Sequence, residues 1–240
     1  MKIALAMATL FALGLAAGLT TSSGRNALWS AWSRLRGRAT VADRVAAFDG
    51  SVRDDVRAWC TQADVNYPPR EVALVEFKNE RELHVFGRTD AAWEHLVMLP
   101  ILGASGTLGP KLAEGDRQVP EGIYAIESLH PDSRFHLALR VGYPNQFDCD
   151  RAATDQRTGL GGDIMIHGGS LSIGCLAIGD DAIERVFLLC ADVGVEAIRL
   201  VIAPTDFRRT DPPAHAGAPP WIDELYARLR LELAEFPAPR

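Results

Sequence analysis

Between Thr40 and Cys60 the apolar residues Val41, Val45, Phe48, Val52, Val56 and Trp59 recur in steps of three and four. That spacing puts them on one face and predicts an amphipathic helix. After Pro68-Pro69 the pattern changes to short β-type runs. Glu71–Lys78 and Glu82–Gly87, separated by Asn79-Glu80-Arg81, predict a hairpin. Leu96–Leu102, Gly122–Glu127, Phe135–Val141 and Asp163–His167 are also strand-like and are bounded by Gly and Pro turns. Asp180 is placed to start a helix through Ile183, Val186, Phe187 and Cys190 that stops near Gly194, and Val195–Ala203 then reads as a strong strand. Pro219-Pro220 opens a terminal helix with Trp221, Ile222, Leu225, Leu229 and Leu233 on one face. The pattern therefore predicts an α+β fold, a mainly β core with flanking helices at both ends. Gly103–Gly122 and Pro144–Gly162 are long for connections in a compact domain and are expected to be ordered loops around a cleft.

The chain has 240 residues, 48% of them hydrophobic, enough for one substantial core but not for two large domains. Its net charge of -6 excludes nucleic acid as a main partner, because phosphate binding needs clustered cations. The one basic cluster is Arg25, Arg34, Arg36 and Arg38. It follows an uncharged run, Ile3–Leu19, that is preceded by Lys2 and followed by Thr20-Thr21-Ser22-Ser23-Gly24. This is export-signal anatomy, and the run is also just long enough to be retained as an anchor. The expected location is periplasmic or exported, with N-terminal membrane association if the segment is not cleaved. The expected organisation is a signal peptide or anchor over 1–24, a linker and helix over 25–69, a catalytic domain over 70–210 and a helical extension over 211–240.

The four cysteines, Cys60, Cys149, Cys175 and Cys190, are too few and too scattered for a disulfide scaffold, and none forms a Cys-x-x-Cys pair. No metal site and no cofactor are expected. Cys60 and Cys190 fall on the apolar sides of predicted helices and read as core residues. Cys175 has a different setting, eight positions after His167 in Asp163-Ile-Met-Ile-His167-Gly168-Gly169-Ser170-Leu171-Ser172-Ile173-Gly174-Cys175. A thiol attacks as its thiolate, and a neighbouring imidazole lowers its pKa, so this pairing points to a nucleophile and its base. The glycines let the strand end and the cysteine fold back toward each other.

His167-Gly168 followed by Ser172-Ile173-Gly174-Cys175 resembles the signature of the YkuD-type L,D-transpeptidase catalytic domain. The resemblance extends upstream through Ser105-Gly106-Thr107-Leu108-Gly109-Pro110-Lys111, Gly115–Tyr124 and Val141–Asp148, and covers roughly Glu71 to Arg208. Ile173, where the family usually has histidine, and the short loop from His167 to Cys175 resemble its YafK-like branch. The resemblance implies a YkuD-like β-sandwich and a cysteine enzyme acting on peptidoglycan stem peptides. Cys175 would attack the carbonyl following the L-centre of meso-diaminopimelate, His167 would shuttle the proton, and the Gly168 carbonyl would fix the imidazole tautomer. The amides of Gly174 and Cys175 are the implied oxyanion donors, with Ser172 shaping the turn or touching substrate. Tyr124, Asn145 and Arg208 are weaker substrate-binding candidates. A cell-wall-linked lipoprotein is a further partner the family admits. Hydrolysis by a murein amidase or L,D-carboxypeptidase is the alternative to transpeptidation, and a non-catalytic cell-wall-binding domain is the alternative to an enzyme.

Overall fold

The computed structural model describes residues 39–48, 50–211 and 217–238. The run Ile3–Leu19 and the basic cluster lie outside them, and no helix of the described residues is long and apolar enough to cross a membrane. Residues 41–240 form one compact unit.

Eight strands make one mixed sheet. They are β1 (Val72–Phe77), β2 (Glu82–Arg88), β3 (Trp93–Pro100), β4 (Gly122–Ser133), β5 (His136–Val141), β6 (Met165–His167), β7 (Leu176–Ala177) and β8 (Ile198–Ala203). Their order across the sheet is β3-β2-β1-β8-β4-β5-β6-β7. The expected hairpin is β1 and β2, in antiparallel register from Val72 opposite Gly87 to Phe77 opposite Glu82. Long β4 joins the two halves of the sheet: Gly122–Ala125 pair with β8, and Ile126–Ser133 pair with β5 through two register shifts. Such irregularities bend a strand and increase its twist.

The helices are α1 (Val41–Ala47), α2 (Gly50–Gln62), α3 (Gln146–Thr154), α4 (Asp180–Val193) and α5 (Ile222–Leu233). The single N-terminal helix expected from periodicity is divided between α1 and α2. Gly50 opens α2, at a point where a glycine inside a continuous helix would cost about 1 kcal/mol. Val52, Val56 and Cys60 of α2 and Ile183, Val186, Phe187 and Cys190 of α4 pack on one face of the sheet. The ion pairs Arg53–Asp192 and Arg185–Asp55 tie the two helices together. On the other face, Leu225, Tyr226, Leu229 and Leu233 of α5 cover Val75, Phe77, Val201 and Ala203. All six residues of β1 are therefore buried, which explains a nearly unbroken apolar run in that strand.

The α+β class, the mainly β core and the flanking helices are thus as expected. The stretch 144–162 is not all loop, because it contains α3, capped by Asn145 in a reciprocal box with Asp148. The stretch 103–121 is a loop without helix or strand, fixed from beneath by buried polar groups. Lys78 Nζ bonds Gly109 O, Val119 O and Glu121 Oε1, while Gly109 N donates to Glu121 Oε1 and Tyr226 Oη donates to Glu121 Oε2. Gln118 Nε2 also donates to Thr107 O and to Gly109 O.

Candidate active site

β6 and β7 are parallel neighbours, with Ile166 opposite Leu176 and His167 opposite Ala177. Ile166 and Leu176 point into the core shared with α2 and α4. Strand side chains alternate between faces, so His167 faces away from that core, while Cys175 lies in the bend immediately before β7. Sheet pairing, not the eight-residue spacing itself, brings the two segments side by side. Gly103 covers the outer edge of β7 by bridging to Ala177. A Cβ at Gly103 would lie 2.3 Å from Ser170 O, so only glycine lets the chain approach this closely.

His167 is 2% exposed, and its Nδ1 lies 2.6 Å from Gly168 O. A carbonyl only accepts, so Nδ1 donates and Nε2 is the nitrogen left to exchange a proton. Phe135 stacks on the imidazole with ring centroids 4.5 Å apart. Burial pushes the His167 pKa down, and its bond to Gly168 partly offsets that effect. Cys175 is half-buried, and its thiol points to Asp163 O at 3.7 Å. Burial pushes this thiol up, with the Asp163 charge acting in the same direction and a bond from the Met165 backbone opposing it. Burial therefore opposes the lowering expected from His167, because it penalises thiolate and imidazolium alike. The arrangement suits proton transfer during attack rather than a standing ion pair.

The turn before Cys175 is made by hydroxyls. Ser172 Oγ accepts from Cys175 N at 3.0 Å and donates to Cys175 O. Ser105 Oγ accepts from Gly174 N at 2.6 Å and donates to Arg117 O at 2.8 Å. The two amides expected to face an oxyanion are thus occupied by serines, which assigns Gly174 and Ser172 to the turn. Tyr124, Asn145 and Arg208 also have internal roles. Tyr124 is 3% exposed and donates to Glu121 O. Asn145 caps α3 and donates to Ile123 O. Arg208 is bound to Asp206 and to the carbonyls of Phe236 and Pro237. None of these bonds reaches the Cys175 turn. Ser105, Phe135 and Asp180, whose Oδ1 accepts from Gly169 N at 2.8 Å, are neighbours of the pair that the sequence did not identify. Ser105 did lie in a quoted motif, but its partner is 69 positions away.

Among the described residues no group of three or more His, Cys, Asp or Glu side chains could hold a metal ion. The four cysteines are free thiols, Cys60 and Cys190 buried and Cys149 exposed.

No family model matches the chain. It is 36% identical over 140 residues to the protein named "Putative L,D-transpeptidase YafK" of Escherichia coli K12, a match covering 56% of this chain and 54% of the relative. The protein of the same name from E. coli O157:H7 matches equally. The chain thus spans about half the length of the curated relatives it matches. Among solved structures, the helical cell shape determining protein Pgp2 of Campylobacter jejuni aligns at 20% identity and TM-score 0.47, over 62% of this chain and 55% of that one. L,D-transpeptidase 1 of Mycobacterium tuberculosis aligns at 15% identity and TM-score 0.32, over 55% and 62%. The resemblance drawn from the motifs, to L,D-transpeptidase-type proteins of the YafK kind, is borne out by the curated relatives.

Proposed function

We propose that the chain is an exported, peptidoglycan-modifying cysteine acyltransferase of the L,D-transpeptidase type. The observation that carries this reading is the pairing of β6 with β7, which brings the strand of the Nδ1-anchored His167 beside the segment of Cys175. The name of the curated relatives, putative L,D-transpeptidase, supports this reaction class.

In this mechanism His167 Nε2 takes the proton from Cys175 Sγ as sulfur bonds to the carbonyl carbon following the L-centre of meso-diaminopimelate. The tetrahedral intermediate collapses as its C–N bond breaks, and the proton on His167 passes to the departing amine. A thioester on Cys175 remains. His167 then deprotonates an incoming amine, which attacks the thioester and returns the proton to sulfur as the thiolate leaves. For an amide of Gly174 or Cys175 to face the oxyanion, the turn must exchange a serine hydroxyl for the substrate oxygen.

A second reading, hydrolysis, has its own support. Leu171 and Ile173 beside Cys175 are 75% and 77% exposed, so this side of the turn stands open to water. Incubating the purified chain with tetrapeptide muropeptides, with and without excess acceptor amine, separates the two. New amides joining two diaminopimelate residues are the transpeptidase result. Release of the bound group with no new amide at any acceptor concentration makes the chain an amidase or carboxypeptidase. No turnover of either kind contradicts the acyltransferase reading.

A further inference from the structure

The peptide that joins Gly168 to Gly169 is engaged on both sides. Its carbonyl accepts from His167 Nδ1 at 2.6 Å, and its N–H donates to Asp180 Oδ1 at 2.8 Å. A peptide group is planar, rigid and strongly dipolar, so one unit links a carboxylate to the imidazole. It is also closely confined: a Cβ on Gly168 would lie 2.5 Å from Asp180 Oδ1 and 2.6 Å from Phe135 O. Asp180 opens α4, in the acidic first turn of that helix.

We propose that Asp180 is a positioning residue that acts on His167 through the Gly168–Gly169 peptide. By holding the N–H it aims the carbonyl at Nδ1, and its charge polarises the peptide so that the carbonyl stabilises the imidazolium formed when His167 takes the thiol proton. The inference rests on the reading of His167 as the base. In a direct carboxylate–imidazole pair the charge touches the ring. Here a peptide stands between them and the carboxylate is exposed on its outer side, so the effect is smaller.

Other charged or titratable groups face this region. The Cys175 thiol lies beside Asp163 O, just before the strand that carries His167. Asp163, just before β6, is paired with Arg140 of β5 at 2.7 Å. His136 of β5 meets Glu184 of α4 at 2.7 Å, and Arg134 lies in the exposed turn beside Phe135. Asp180 differs from Asp163 and Glu184 in bonding the same peptide unit that His167 bonds.

The test is an NMR titration of the His167 imidazole in a Cys175→Ala background, where no thiol couples to it. Asp180→Asn keeps the shape and the accepting oxygen but removes the charge. The expected result is a His167 midpoint lower by about half a unit to one unit. With Cys175 present, the acid limb of kcat/KM should move down equally, with the plateau rate falling about three- to tenfold. Glu184→Gln should move the midpoint less than half as far. An unmoved midpoint in Asp180→Asn, or an equal movement in Glu184→Gln, overturns the proposal, because a purely structural role would leave the titration in place. If Asp180→Asn does not fold, Asp180→Ser gives the same readout with a short neutral acceptor. Full turnover in His167→Ala removes the base reading and the premise with it, a failure distinguishable because that variant leaves Asp180 intact.

Discussion

At the scale of single residues, the burial of the candidate pair has kinetic consequences. Burial raises the Cys175 thiol above its ordinary value of 9.0 and lowers His167 below 6.5. Iodoacetamide alkylation of Cys175 should therefore keep rising with pH beyond 9, with no plateau near neutrality. In turnover the acid limb of kcat/KM, where His167 becomes protonated, should lie below pH 6.5. An alkylation plateau at pH 6 would mean a standing thiolate–imidazolium pair instead. Glu76 supplies a separate pH effect. Both its carboxylate oxygens are buried without partners, and burial pushes its pKa up to about 8, with Glu121 adding to the rise and Lys78 opposing it. A pKa raised on folding means that the folded state favours the protonated form. That stabilisation is complete below 4.5, the ordinary value of a glutamate, and is lost as pH rises through 8. Glu76→Gln should flatten the decline in stability across this window by something on the order of 4 kcal/mol, read from denaturant midpoints at several pH values. An unchanged slope would show that Glu76 is not the group responsible.

At the scale of elements, the 103–121 loop is held from below by the buried Lys78–Glu121 pair, whose side chains are 7% and 0% exposed. Removing one partner of such a pair strands the other charge away from water. Lys78→Met should cost about 3 to 5 kcal/mol and should also lower turnover, because Ser105 in this loop braces the Gly174 amide. A melting temperature close to wild type would contradict that role. Much of the element pattern was legible because it follows from burial: strands with alternating or doubly buried apolar residues, and helices with one apolar stripe. The exceptions have physical causes. α3 buries only Asp148 and Ala152, too little to make a stripe, and β7 is two residues long and exists through pairing with β6 and Gly103. β4 runs past Glu127 to Ser133 because pairing with β5 extends it through polar residues.

At the scale of the whole molecule, the site depends on contacts between distant segments, and this limited what the sequence could disclose. Cys175 and His167 stood out in the sequence because they lie in one short glycine-rich string. The partners that hold them were not, since Ser105, Phe135 and Asp180 come from a loop, a turn and a helix brought together only by the sheet order. The same limit explains Tyr124, Asn145 and Arg208, which looked available to substrate but have bonds inside the fold. The account as a whole rests on Cys175 being acylated by a stem peptide, with His167 as its base. Its most direct test is intact-mass analysis of the chain quenched in acid during turnover of a tetrapeptide muropeptide, run beside Cys175→Ala and His167→Ala. The account predicts an acyl adduct mapping to Cys175 in the wild type, no adduct or product in Cys175→Ala, and a rate lowered by roughly a thousandfold or more in His167→Ala. Product formation by folded Cys175→Ala at the wild-type rate would contradict it.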